Sequence, residues 1–433
     1  MPGARDTALG ALIQFRRDGA WPDLYLKQEA ARLSPEDAAL ATTITYGTLQ
    51  NRELIDFYIS CFSSMKLKKV MPQVLDAIRI GVYQLLFLDK IPPSAAVNES
   101  VKLVKQKANP RAAAFANAVL RKISTQRDAL PQLPQDDPVQ YLSVRYSHPV
   151  WFVRRMLQVL GREECESLLQ ANNAPVEAAA RVNALKVDRA SLLQELGAAA
   201  HAHPAVEDAV IIDDMKTALR SRAFADGQFY VQDIASQLAV LALSPQPGSN
   251  VMDLCAAPGG KSLLAAQLMG NKGELLATDL HAHKVDILEK NAEKYGVSIL
   301  RAAPMDASRL LQSRVNTADY IVCDVPCSGM GIIRKKPDIR FKDEACDLPQ
   351  LQYQILCNAA AYLKQGGCLV YSTCTVLPQE NEAVVQRFLK EHPELSLEGF
   401  ELPVAGKVPE GMVTLYPHRH GTDGFFIAKL RKA

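Results

Sequence analysis

The sequence predicts a multidomain fold in three parts. These are an all-α N-terminal bundle over 1–128, a small α+β module over 139–225, and an α/β domain with a mostly parallel sheet over 226–433. Three observations predict it. Up to about residue 128 apolar side chains recur at helical spacing; the stretch LPQLPQDDP at 130–138 then offers almost nothing to bury and reads as a linker. From about residue 226 short apolar runs alternate with helical stretches, the pattern of βαβ units whose helices cover both faces of a sheet. With 433 residues the chain has material for two to four domains of about 100–200 residues each.

The elements follow in order. In VLDAIRIGVYQLLFL at 74–88, Leu75, Ile78, Val82, Leu85 and Leu86 form one apolar stripe that needs helical partners. Pro92-Pro93 stops that helix. Ser94 is placed to cap the next one, which has Val97, Val101 and Val104 on one face and Lys102, Lys105 and Lys107 around the rest. In the middle module a helical segment at 151–169 precedes two strand-like runs, AARVNALK at 179–186 and AVIIDD at 209–214. The last domain reads as strands NVMDL, ELLATD (274–279), SILRAA (298–303), DYIVCD (319–324), CLVYST (368–373) and GFFIAKL (424–430), with helices from about 260 and over about 282–295.

Composition narrows the function classes. At 48% hydrophobic and 22% charged the chain is an ordinary globular protein, not a disordered one. Net charge is only +2, but residues 1–130 hold 18 Lys and Arg against 12 Asp and Glu, an excess that suits a nucleic-acid face. Nine cysteines without a CxxC pair, several of them inside apolar strands, predict reduced thiols and neither a disulfide framework nor structural zinc. Arg5, Asp6, Arg16, Arg17 and Asp18 interrupt the N-terminal apolar stretch, and no run approaches the roughly 20 apolar residues of a membrane span. A cytoplasmic protein with no membrane attachment is expected.

The chemistry lies in the last domain. In open α/β sheets ligands bind beyond the carboxyl ends of the strands. Asp253, Asp279, Asp306 and Asp324 stand at or just after four successive strand ends and together outline a nucleoside site. The turn DLCAAPGGK at 253–261, with Cys255, Ala256, Ala257, Pro258, Gly259, Gly260 and Lys261, is neither GxGxxG nor a phosphate loop. It suits a nucleoside cofactor without phosphates, of which S-adenosylmethionine (AdoMet) is the common one. Asp279, about 20 residues after the glycines, is placed for the ribose hydroxyls, and Asp306 for the adenine amino group. Two cysteines follow strand ends, Cys327 in DVPCSG and Cys374 in LVYSTCT, which suggests group transfer involving a thiolate. Cys323, Cys357 and Cys368 read instead as small buried hydrophobes.

CAAPGGK, DVPCSG and YSTCT, in this order and spacing, resemble the AdoMet-dependent RNA cytosine-5 methyltransferases of the NOL1/NOP2/Sun family. FYVQDIASQLA at 229–239 and the closing HGTDGFFIAKL match that pattern too, and PRAAAFANAVLRKI at 110–123 resembles the NusB fold. The resemblance covers essentially the whole chain. It implies a NusB-like RNA-binding bundle ahead of a Rossmann-like methyltransferase domain. It further implies a cytidine of 16S ribosomal RNA or of a small-subunit assembly intermediate as substrate, with no stable protein partner. Cys374 is implied as the nucleophile and Cys327 as the residue that helps release product.

The chemistry is consistent with this. Carbon 5 of cytosine is a poor nucleophile, and a thiolate adding at C6 converts the ring to an enamine whose C5 can attack. Hydrogen bonding or protonation at N3 must balance that addition, a role that suits Asp324, and the backbone around Pro326 can meet the exocyclic amine. Gln232 and Asp233 either shape the pocket mouth or cap a helix. Lys284 either neutralises bound charge or is a surface lysine, and His418 and His420 resemble a metal pair but suit an RNA-facing loop better. Arg334, Lys335 and Lys336 are expected to meet RNA phosphates. A transfer-RNA methyltransferase would share every catalytic residue, and a non-catalytic RNA-binding assembly or antitermination factor would need only the N-terminal bundle.

Overall fold

The computed structural model of the protein describes residues 3–19, 21–344 and 347–433. The chain forms two compact units, Met1–Asn173 with Lys336–Asp343, and Ala174–Lys335 with Glu344–Ala433.

The first unit is helical, from Ala4–Asp18 to Arg162–Ala171. Its centre is the helix Pro72–Phe87. The sequence showed a single stripe there, yet Val74, Ala77, Ile80 and Tyr83 are buried along with Leu75, Ile78, Val82 and Leu85, because neighbouring helices enclose most of its circumference. Caps set several boundaries. Ser34, Asn109 and Asp137 accept hydrogen bonds from the first-turn amides of Asp37, Ala112 and Val139, each worth about 1 kcal/mol. Ser94 does not cap: Pro92 occupies that position without a side-chain bond, and Ser94 lies inside the helix Pro93–Lys107. The linker sequence at 130–138 runs into the Asp137 cap of the helix Pro138–Tyr146.

Lys336–Asp343 belongs to this unit although it lies within the second unit's sequence. Arg340 fastens it. Only 3% exposed, its guanidinium donates to the carbonyls of Gln50, Tyr146, Ser147 and Asn172 at 2.9–3.2 Å. These carbonyls lie at the C-terminal ends of the helices Pro35–Gln50, Pro138–Tyr146 and Arg162–Ala171. Three negative helix ends thus meet one cation. Burial pulls the Arg340 pKa down to about 9, which leaves it charged at neutral pH.

Among its described residues the second unit carries two larger sheets and a two-stranded one, Phe400–Leu402 against Gly406–Val408. A four-stranded antiparallel sheet runs in the spatial order Ala200–Ala202, Ala209–Ile212, Ala178–Val182, Phe229–Val231. In the eight-stranded sheet Asn250–Asp253, Glu274–Asp279 and Leu300–Pro304 step outward in parallel. Ala318–Asp324 and Leu363–Thr373 then continue from the other side of Asn250–Asp253, again in parallel. Phe425–Lys432 adds antiparallel against Leu363–Thr373, and Leu395–Leu397 and Met412–Leu415 pair with it. The direction of winding reverses between Asn250–Asp253 and Ala318–Asp324, so the crevice for a ligand opens at Asp253 and Asp324. The helix Ala282–Tyr295 falls where the apolar spacing predicted it. Among the described residues no helix is long and apolar enough to cross a membrane.

Candidate active site

The glycine turn joins the strand Asn250–Asp253 to the helix Gly260–Leu268. Gly259 caps that helix with φ +109°, a left-handed conformation that side chains resist. Beneath the turn lies a cavity of about 230 Å³ lined by Asp253, Cys255, Ala256, Ala257, Pro258, Gly260, Lys261 and Asp324, with Gln232 and Asp233 from the preceding segment. Fully buried Asp253 accepts from the Ser262 hydroxyl at 2.6 Å through Oδ2, while its Oδ1 has no partner. Burial pushes the Asp253 carboxyl up to about 7. An orphaned carboxylate oxygen on this cavity fits the ammonium of an amino-acid-bearing nucleoside such as AdoMet.

Lys261 and Asp324 form an ion pair at 2.7 Å, and the Ser372 hydroxyl donates to the other Asp324 oxygen at 2.7 Å. Burial pulls the Lys261 ammonium down, but Asp324 and then Asp253 outweigh it and leave its pKa raised. Asp279 ends its strand 6% exposed and holds the Lys284 ammonium at 3.3 Å, so Lys284 accompanies the proposed ribose acid. Asp306 sits below the ordinary carboxylate range because the Ser308 hydroxyl donates to it at 2.6 Å; Arg309 lies at 3.2 Å. Neither Asp279 nor Asp306 is among the residues lining the cavity beside Asp253 and Asp324.

The two cysteine loops converge. Cys327 Sγ lies 3.1 Å from Cys374 Sγ, and the hydrogen bond to Cys374, followed by burial, pushes the Cys327 thiol well above its usual range. The Gly331 amide donates to the Cys374 carbonyl at 3.0 Å, and the Gly424 amide donates to the Gly331 carbonyl at 2.9 Å. A β-carbon on Gly331 would come within 1.8 Å of the Gly424 carbonyl oxygen, so only glycine allows this approach. Buried Glu380 accepts from the Ser328 amide at 2.9 Å and from Gln352 Nε2 at 2.8 Å, and the Ser328 and Thr375 hydroxyls meet at 2.9 Å. The Pro326 carbonyl accepts from Gln352 at 3.0 Å, which uses part of the backbone expected to meet the base.

Other expectations change. Arg334 and Lys335 do not form a phosphate face: Lys335 Nζ lies 2.5 Å from Asp233 and 2.6 Å from buried Asp423, and Arg334 lies 3.5 Å from Asp423. Asp233 serves twice, since it also caps the helix Ile234–Leu243. His420 Nδ1 accepts from the Tyr416 amide at 2.9 Å, and among the described residues no cluster of three or more metal-ligating side chains occurs. Sequence reasoning missed Arg181, which is 1% exposed and donates to the Gly260 carbonyl at 2.9 Å and to Gln232, so the smaller sheet braces the glycine turn. An arginine inside the apolar run AARVNA was the available signal.

The profile of the 16S rRNA methyltransferase RsmB/F family matches residues 240–431, that of the NusB family 2–125, and that of a ferredoxin-like domain of RsmF/B-like methyltransferases 148–217. The chain is 39% identical to the probable ribosomal RNA small subunit methyltransferase B of Bacillus subtilis, over 99% of this chain and 98% of that one. It is 31% identical to the ribosomal RNA small subunit methyltransferase B of Vibrio cholerae, over 99% and 97%. The solved structure of PH0851 matches with a TM-score of 0.81 at 29% identity over 98% of both chains. A methyltransferase homologue from Pyrococcus horikoshii matches with a TM-score of 0.60 at 28% identity, over 70% of this chain and all of that one. With a relative at this identity over its full length, and the paired cysteine loops at the crevice of its sheet, the chain belongs to the 16S rRNA methyltransferase RsmB/F family.

Proposed function

We propose that this AdoMet-dependent ribosomal RNA methyltransferase methylates carbon 5 of a cytidine in 16S RNA, naked or in an assembling small subunit, through a covalent adduct of Cys374 with C6. The observation that carries the reading is the 3.1 Å approach of the Cys327 and Cys374 sulfurs, in the same loops that follow the strands ending at Asp324 and Thr373. In this reading residues 1–128 position the RNA, 139–225 link, and 226–433 catalyse. The free thiols of the described cysteines suit the reducing cytoplasm.

When bound, AdoMet supplies an electrophilic methyl group. Asp253 and the glycine turn, which line the cavity, would hold it, with Asp279 at the end of the next strand toward its ribose, and Arg181 keeps the turn in place. Cys374 adds to C6 as its thiol proton passes by way of the Asp324 carboxylate, held by Lys261 and Ser372, to N3, which takes up the electron pair entering the ring. After methylation the C5 proton must leave before the Cys374–C6 bond can break. Cys327, whose sulfur lies 3.1 Å from that of Cys374, is placed to take it once its own thiol proton has passed to solvent.

Bisulfite sequencing of total RNA with and without the gene tests the assignment: loss of one protected cytidine in 16S RNA is expected, and an unchanged 16S pattern contradicts it. Two consequences concern the donor. Asp279→Ala is expected to weaken AdoMet by roughly 1.5–3 kcal/mol in titration calorimetry, as for hydrogen bonds to a charged group. Because Asp253 must ionise to pair with the donor's ammonium, affinity should rise with pH up to about 7, by at most roughly tenfold per unit, and level off above it. Proton release on binding, read from calorimetry in buffers of different ionisation enthalpy, checks the sign.

A further inference from the structure

The helical unit holds a second cavity, of about 620 Å³, within the roughly 300–1,000 Å³ range of ligand sites. The chain has only two tryptophans, and both Trp21 and Trp151 line it. Trp21 is 40% exposed, and the ammonium groups of Lys336 and Lys342 each lie 5.1 Å from its ring centre. Deeper in, the Arg52 guanidinium lies 3.8 Å from the centre of the Phe341 ring, a second flat cationic and aromatic surface. Thr48, 1% exposed, lines the same cavity with its hydroxyl unpartnered.

Among the described residues five cationic side chains line the cavity against four acidic ones, and Lys336 beside Trp21 adds a sixth cation. The four acids are Glu53, Asp76, Asp338 and Asp343, and Asp76 and Glu53 meet Arg16 at 3.1 Å and Arg52 at 3.4 Å. Arg340 meets only carbonyl oxygens, and the two lysines flank the exposed indole. Aromatic faces interleaved with cations are how proteins hold unpaired nucleotides: the base stacks on a ring or guanidinium plane and the phosphate meets a cation.

We infer that this cavity binds a single-stranded RNA nucleotide remote from the target cytidine, its base against Trp21 and its phosphate between Lys336 and Lys342. The inference rests on the reading that RNA is the substrate, and it goes further by locating a second anchoring point. It also gives Lys336 the RNA contact that its neighbours Arg334 and Lys335 do not make.

The test uses the full-length protein and the fluorescence of its two tryptophans. Oligouridylate contains no cytosine, so its binding reports the cavity and not the methylation pocket. It should quench the emission saturably. For a 16S fragment, Trp21→Ala should weaken binding roughly tenfold, whereas Trp21→Phe, which keeps a stacking ring, should stay near wild type. AdoMet affinity and turnover at saturating RNA should not change. Unquenched emission overturns the site, and so does a Trp21→Ala variant that binds the fragment as wild type does. If cytosine-5 methylation fails while quenching and the Trp21→Ala loss persist, the site stands and the reaction reading falls. If methylation proceeds and Trp21→Ala is silent, the site alone falls.

Discussion

Cys374→Ala is expected to lose methyl transfer by at least about 10⁴-fold, the scale on which removing a covalent nucleophile acts. Without the thiolate no enamine forms at C5, and Cys327 does not take its place: even without its hydrogen bond to Cys374, burial and the nearby Glu380 and Asp324 still push its thiol up. AdoMet affinity should be unchanged, because the residues lining the donor cavity do not include Cys374. RNA should still bind. Single-turnover transfer of labelled methyl groups to a 16S transcript measures the first quantity and calorimetry the second.

Gly331→Ala is expected to lower kcat about 100-fold, although Gly331 touches no reacting atom. The added methyl would lie 1.8 Å from the Gly424 carbonyl oxygen and 2.9 Å from that of Cys374, and both are backbone atoms that no side-chain rotation can move aside. The loops must separate by an ångström or more, a displacement that costs about that factor when reacting groups are held for attack. Overpacking of this kind should also cost about 1–3 kcal/mol of stability, measured by denaturant unfolding. An alanine variant with normal turnover would show that the sulfur pair does not depend on the contact between Gly331 and Gly424.

Much of the fold and the main outlines of the site could be read from the sequence, and the reasons differ. The strands of the large sheet are short apolar runs, and the acids at their ends are local features, so Asp253, Asp279 and Asp324 could be placed by position alone. Charge could not be read locally. Arg334 and Lys335 look like a basic patch until Asp233 and Asp423, distant in sequence, arrive beside them and neutralise them. The same holds for Arg181, Glu380 and the contact of Gly331 with Gly424, where each role depends on a partner from another segment. Ser94 shows the reverse error: a good capping residue lies two positions past the cap because Pro92 and Pro93 already start the helix.

The division of labour between the two thiols is the central claim, and the trapped intermediate of Cys327→Ala tests it most directly. With AdoMet and a 16S transcript this variant should add Cys374 to C6, methylate C5 and then stall, because no group removes the C5 proton. Mass spectrometry of the digested, denatured adduct should find a cytidine bearing one extra methyl group attached to the peptide containing Cys374, and Cys374→Ala introduced into that variant should abolish it. An adduct formed by Cys374→Ala alone and carried on Cys327 would reverse the roles. Full turnover by Cys327→Ala with no adduct would contradict the account.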